Sequence, residues 1–244
     1  MQPAGPPIDV VVPEAVRLLA AGRRLTPVWQ NELGGLTFQV GSGPERSFVK
    51  WAAKGSGLDL MAEQERLNWA IAHTAVPRVL GSGVDSDGAW LLTEGLPGDS
   101  AVSPRWLQHP EVAVRAAGHG LRRLHEALPV DVCPFSWSVE NRLENARERG
   151  SSPDGFPSAP AVDRLVVCHG DPCVPNTLVD DAGQWAGHVD MASLGVADRW
   201  ADLAVGSWST EWNYGPGWQA AYFTAYGVEP DAERIAFYRS LWDL

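Results

Sequence analysis

The chain has 244 residues, 45% hydrophobic and 20% charged, enough apolar material for one large domain or two smaller ones. Nineteen basic against 30 acidic side chains give a formal net charge of -11, a balance that argues against nucleic acid and anionic membrane as partners and favours cations. Cys133, Cys168 and Cys173 are odd in number and lack C-x-x-C spacing, which excludes a zinc ribbon or a disulfide framework. Free thiols in a reducing, cytoplasmic setting are expected. Met1 to Pro7 is rich in Pro and Gly, without a basic start or a long apolar run, so neither a signal peptide nor a transmembrane helix is expected.

In chain order, residues 13–22 predict a short helix with Pro13 at its start and Gly22 at its end. Strand-like runs follow at 26–32, 36–41 and 46–52, separated by Gly34-Gly35 and by the turn-rich segment 41–44. Residues 58–73 carry Leu60, Leu67 and Ile71 at helical spacing. Two further strands, at 78–84 and 89–94, flank the turn Asp85-Ser86-Asp87-Gly88. The segment from Gly95 to Pro104 is a hinge candidate, rich in Gly, Pro and Ser. Beyond it the character becomes helical. Residues 110–128 carry a Leu121, Leu124, Leu128 stripe, and 138–149 form a charged helix. Residues 165–168 and 185–189 are short apolar strands bracketing a polar turn, and three amphipathic helices run from Asp198 to the end. The expectation is an α+β chain of two lobes, a β-rich one over 1–95 and an α-rich one over 96–244, with a nucleotide-sized cleft between them.

The chemistry concentrates in 167–190, VCHGDPCVPNTLVDDAGQWAGHVD. Asp171 follows a strand, Asn176 lies five residues on, and Asp190 comes after a hairpin. Phosphoryl transfer asks a protein chiefly for positioning and charge neutralisation. One carboxylate must orient the attacking hydroxyl, and oxygen ligands must hold Mg2+, a hard cation. The Asp-to-Asn spacing is that of the protein-kinase catalytic loop. A lone HGD would be an ordinary turn; the second aspartate at a strand end gives it meaning.

His169-Gly170-Asp171-Pro172-Cys173-x-Pro-Asn176, followed by Asp190 and by 195–204 (GVADRWADLA), resembles the aminoglycoside phosphotransferase family. The HGDPC-x-PN form and Cys133-Pro134-Phe135 are most similar to the streptomycin 3''-phosphotransferases, although the connection from Phe135 to Leu165 is shorter than theirs. The resemblance implies a protein-kinase-like two-lobed fold that uses ATP, or GTP in some members, with Mg2+. It implies Asp171 as the catalytic residue and Asn176 and Asp190 as metal ligands. Lys50 would contact the ATP phosphates, paired with Glu63, while Glu65 would face away. Gly34 and Gly35 would turn backbone N–H groups toward phosphate oxygens, and Thr93, Glu94 and Leu96 would supply the adenine-binding hinge. His169 would be structural, and Arg199 and Asp202 would form ion pairs bracing the metal loop. Cys168 and Cys173 would pack without acting as nucleophiles.

For a polycationic acceptor the acids Glu211 and Asp243 are the leading candidates, ahead of Glu140 and Glu144, with Trp212 and Trp242 beside them. The implied substrate is an aminoglycoside, with the streptomycin 3''-hydroxyl ahead of a kanamycin- or neomycin-type 3'-hydroxyl or another small cationic metabolite. No obligate protein partner is implied. A binding module without catalysis is the rival class, disfavoured by the complete Lys50, Asp171, Asn176, Asp190 set.

Overall fold

The computed structural model describes residues 10–244, so the expectation for Met1 to Pro7 lies outside the described residues. Two compact units emerge, the first from the described residues up to Ala72 with Val76–Pro97, the second from His73–Ala75 with Gly98–Leu244.

In the first unit, α1 (Glu14–Ala20) ends on Ala21 in the left-handed conformation. Five strands follow, β1 (Leu25–Gln30), β2 (Leu36–Val40), β3 (Ser47–Ala53), β4 (Val79–Val84) and β5 (Gly88–Glu94), with α2 (Leu60–Ala70) between β3 and β4. They form one antiparallel sheet in the order β1-β2-β3-β5-β4. Alternation puts Leu36, Phe38 and Val40 of β2 and Val49 of β3 on the face that buries Val16 and Ala20 of α1. Asp59 caps α2 by accepting the N–H groups of Met61 and Ala62. Leu60 and Leu67 are buried as their spacing predicts. Ile71 is not; the helix stops at Ala70, and Ile71 stands 41% exposed at its end.

The second unit begins with β6 (Asp99–Ser100), α3 (Pro104–Leu107) and α4 (Pro110–Ala127), continues with α5 (Val139–Glu148), β7 (Leu165–Cys168), β8 (Thr177–Val179), β9 (Trp185–His188) and β10 (Gly195–Asp198), and ends with α6 (Trp200–Tyr214), α7 (Gln219–Tyr226) and α8 (Ala232–Trp242). The α4 leucine stripe is buried as expected, each leucine contributing about 1.5–3 kcal/mol. Three expectations need correction. The strands β7 and β9 do not share a turn: β7 pairs with β10, whereas β9 pairs with β8, which pairs with β6. Strands of two to four residues are too short for periodicity to reveal. Second, the units divide within the hinge segment, between Pro97 and Gly98, but its remainder also holds β6, tied to β8 in the second unit. Third, α6 is not amphipathic, because Trp200 to Ser207 are all buried, the acid Asp202 among them; a helix covered all round belongs in a core. Among the described residues no helix is long and apolar enough to cross a membrane.

Candidate active site

In the first unit the sheet presents Lys50 from β3 and α2 presents Glu63. The Lys50 Nζ lies 2.7 and 2.8 Å from the two Glu63 carboxylate oxygens. The lysine side chain is 23% exposed and the glutamate side chain 4%, so the fold sinks the acid and leaves the lysine partly exposed. Glu65, two residues on, is exposed on another face.

The turn after β1 closes on its own backbone. Gly34 does take a positive φ of 80°, as the turn requires. Its N–H, however, donates to the Asn31 carbonyl at 3.0 Å, and the N–H groups of Leu33 and Gly35 donate to Asn31 Oδ1 at 3.1 and 2.7 Å. Asn31 takes the donors assigned to phosphate, because an Asn side chain readily closes a turn on its own backbone. At the end of β5, Thr93 is buried, the Glu94 N–H bonds the Arg78 carbonyl, and the Glu94 carboxylate pairs with the Arg78 guanidinium. The Leu96 carbonyl accepts from Arg46 at 2.5 Å.

In the second unit Asp171, Asn176 and Asp190 come together. Asn176 Nδ2 donates to the Asp171 carbonyl at 2.9 Å and to its Oδ2 at 3.2 Å. Asp171 Oδ1 is buried and has no hydrogen-bond partner among the described residues. The Asn176 carbonyl accepts the Val189 N–H at 3.0 Å, which holds the chain just before Asp190 in place. Asp190 itself adopts φ 65°, a region that Asp enters more readily than most residues. Gly170 lets the loops meet, since a Cβ there would fall 2.1 Å from the Ser193 carbonyl oxygen. Burial, then the charge of Asp190, pushes the Asp171 carboxyl above its ordinary value.

The support beneath this loop differs from the expected ion pairs. Asp202, fully buried on α6, accepts the N–H of His169 at 2.6 Å and of Gly170 at 2.9 Å, and faces His125 Nε2 at 2.9 Å. Arg199 instead pairs with Asp163 at 2.6 Å. One helical turn separates the two residues, and only Asp202 faces inward. His169 is a positioning residue. Its Nε2–H donates to the Val189 carbonyl and its Nδ1 accepts the Asp171 N–H, which defines one tautomer. Cys168 is buried and its thiol is pushed well up by burial, consistent with packing. The Cys173 thiol is likewise pushed well up, by burial and then by the charge of Asp171.

The acceptor candidates lie on α6 and at the end of α8. Glu211 is half-buried, Asp243 is exposed at the α8 terminus, and Glu140 and Glu144 are exposed on α5. The Trp212 ring lies 4.7 Å from Trp208 and 5.8 Å from Trp242, a half-buried aromatic wall to which Trp208 adds a member beyond the expected Trp212 and Trp242. The same helix touches the catalytic loop, where Ser209 Oγ accepts the Val174 N–H at 3.0 Å.

A β-rich unit carrying a Lys–Glu pair and an α-rich unit carrying an aspartate loop are the two parts of a kinase-like phosphotransferase. Residues 30–153 and 156–238 match the model of the phosphotransferase enzyme family, and the chain belongs to that family. It is 32% identical to an aminoglycoside 3'-phosphotransferase of Streptomyces fradiae, over 87% of this chain and 91% of that protein. It is also 32% identical to the streptomycin 3''-kinase of Streptomyces griseus, over 95% of this chain and 94% of that one. Among solved structures, the aminoglycoside phosphotransferase APH(3'')-Id from Streptomyces rimosus superposes with a TM-score of 0.71 at 27% identity, covering 94% of this chain and 98% of its own. A second structure of that enzyme, in complex with ADP and streptomycin, gives 0.68 at 27% identity, covering 92% and 94%.

Proposed function

We propose that this enzyme transfers the terminal phosphoryl group of ATP to a hydroxyl of an aminoglycoside antibiotic, with the streptomycin 3''-hydroxyl as the leading acceptor and antibiotic resistance as the consequence. The observation that carries the reading is the Asp171 Oδ1, a buried carboxylate oxygen with no partner among the described residues, set beside Asn176 and Asp190. An orphaned oxygen of this kind costs about 1–3 kcal/mol to keep, which a substrate hydroxyl relieves by donating to it.

Asp171 orients the acceptor hydroxyl and takes up its proton as the oxygen bonds to the γ-phosphorus and the bond to the ADP oxygen breaks. Asn176 and Asp190 fit a divalent cation. Asn176 spends its amide N–H on Asp171, which leaves its amide oxygen without a hydrogen bond among the described residues, and an amide oxygen with a carboxylate suits hard Mg2+. When bound there, Mg2+ supplies neutralisation of phosphate charge. Lys50, oriented by Glu63, holds the nucleotide phosphates, and the Thr93, Glu94 and Leu96 segment receives the base of ATP, or of GTP as the alternative donor. Gly34 and Gly35 would serve as N–H donors to phosphate only by giving up their bonds to Asn31. Nucleotide contacts thus belong to the N-terminal unit, and catalytic and acceptor contacts to the C-terminal one.

Glu211, Asp243 and the Trp212–Trp242 face are assigned to the cationic acceptor, which carboxylates and indole faces both attract. The leading acceptor is supported by the Streptomyces griseus and Streptomyces rimosus relatives. A 3'-hydroxyl acceptor is the second reading, favoured by the equal identity to the Streptomyces fradiae protein. Steady-state assays on streptomycin, kanamycin and neomycin, with the modified hydroxyl located by NMR, decide between them. Turnover of kanamycin without streptomycin overturns the first choice.

A further inference from the structure

Away from the catalytic loop, α4 lines a cavity of about 240 Å3 with Arg115, His119, Arg122, Arg123 and Glu126, residues spaced to share one helix face. Gln184 and Trp185, from the β8–β9 hairpin side, line it as well. Glu126 neutralises Arg122 at 2.8 Å. Arg115, His119 and Arg123 have no ion-pair partner among the described residues. Gathering uncompensated cations on one face costs repulsion that an anion would remove.

The cavity is also preorganised. The Arg123 guanidinium lies 5.6 Å from the centre of the Trp185 ring. Trp185 is in turn fixed by its indole N–H to His188 Nδ1 at 3.2 Å and by Gly120, where a Cβ would fall 2.3 Å from the ring. Burial holds the His188 imidazole well below its ordinary pKa, so its Nδ1 remains an acceptor for that bond.

We propose that this cavity binds a phosphate group, free or carried on a small molecule, at a site separate from the residues of phosphoryl transfer. The guanidinium fork matches phosphate oxygens bidentately, and His119 adds a further donor. The volume falls below the ~300–1,000 Å3 of drug-sized pockets, which suits a compact oxyanion better than a nucleotide.

Calorimetric titration of the full chain at low salt, with inorganic phosphate in one arm and glycerol phosphate in the other, tests the site and separates its two sources. The expected result is saturable binding weakened at least ten-fold by R115Q/R123Q and little changed by R147Q/R149Q, which removes the same charge from exposed α5 and its C-terminal end. Gln184→Glu places a carboxylate in the cavity without touching the Arg123–Trp185 stack and is expected to weaken binding similarly, which covers a fold defect in the double variant. Tighter glycerol phosphate assigns a carried phosphate; equal or weaker binding assigns the free ion. The proposal is overturned by no binding in either arm, by equal losses in the two double variants, or by binding that survives both R115Q/R123Q and Gln184→Glu.

Discussion

The two charged clusters assigned to phosphate chemistry are built on opposite principles. Lys50 and Glu63 satisfy each other, with both carboxylate oxygens in contact with one ammonium. Asp171 is held by its neighbours on one oxygen and left with the other bare. A point charge for a phosphate needs only to be aimed, and an opposite charge aims it. A group that must accept a proton has to keep an unspent lone pair, and the fold bears that cost through the buried Asp202, which fixes the loop by its backbone instead of its reactive side chain.

Four variants break or sharpen that contrast, taken from the largest expected effect downward. Asp171→Ala removes the bare oxygen, so kcat should fall by roughly 10^2–10^4 while nucleotide affinity stays near wild type; steady-state kinetics beside nucleotide titration give both numbers. Asp202→Asn keeps the side-chain shape but loses an acceptor to the His169 and Gly170 N–H groups and His125. A stability loss of about 3 kcal/mol is expected in urea unfolding, accompanied by a drop in kcat. An unchanged unfolding midpoint would mean that the loop is not anchored there. Lys50→Met should lower kcat/KM for ATP by about 30-fold, near 2 kcal/mol, with the KM for the acceptor little moved. A larger effect on the acceptor than on ATP would reverse the assignment of the two clusters. Gly34→Ala meets nothing within 4 Å and should cost only about 1 kcal/mol from its positive φ, with ATP affinity nearly unchanged. A ten-fold loss of ATP affinity would restore the turn as a phosphate cradle.

Legibility followed sequence distance. Asp171, Asn176 and Asp190 lie within one segment, so spacing alone suggested their shared chemistry, and Lys50 with Glu63 followed from the family likeness. Asp202 does brace the loop, but through backbone N–H groups and His125 and not through an arginine ion pair, which its place beside Arg199 in the chain did not reveal. The usable signal was its setting among Trp200, Ala201, Leu203, Ala204 and Val205, where an acid is buried and must find donors. His125 carried a similar sign, one residue beyond Leu124 on a buried stripe. In the Gly34-Gly35 turn Asn31 competes for the same N–H groups, a local contact that an Asx turn makes legible from the sequence. The strands β6, β8 and β10 were missed because their pairing is decided by distant chain, Asp99 meeting Val179 and Gly195 meeting Cys168.

Incubating wild-type enzyme and Asp171→Asn with streptomycin and γ-labelled ATP, and measuring nucleotide affinity on the same samples, bears most directly on the bare carboxylate oxygen. Label should appear on the antibiotic with the wild type and be almost absent with Asp171→Asn at equal nucleotide affinity. Label transfer by Asp171→Asn at the wild-type rate would contradict the account.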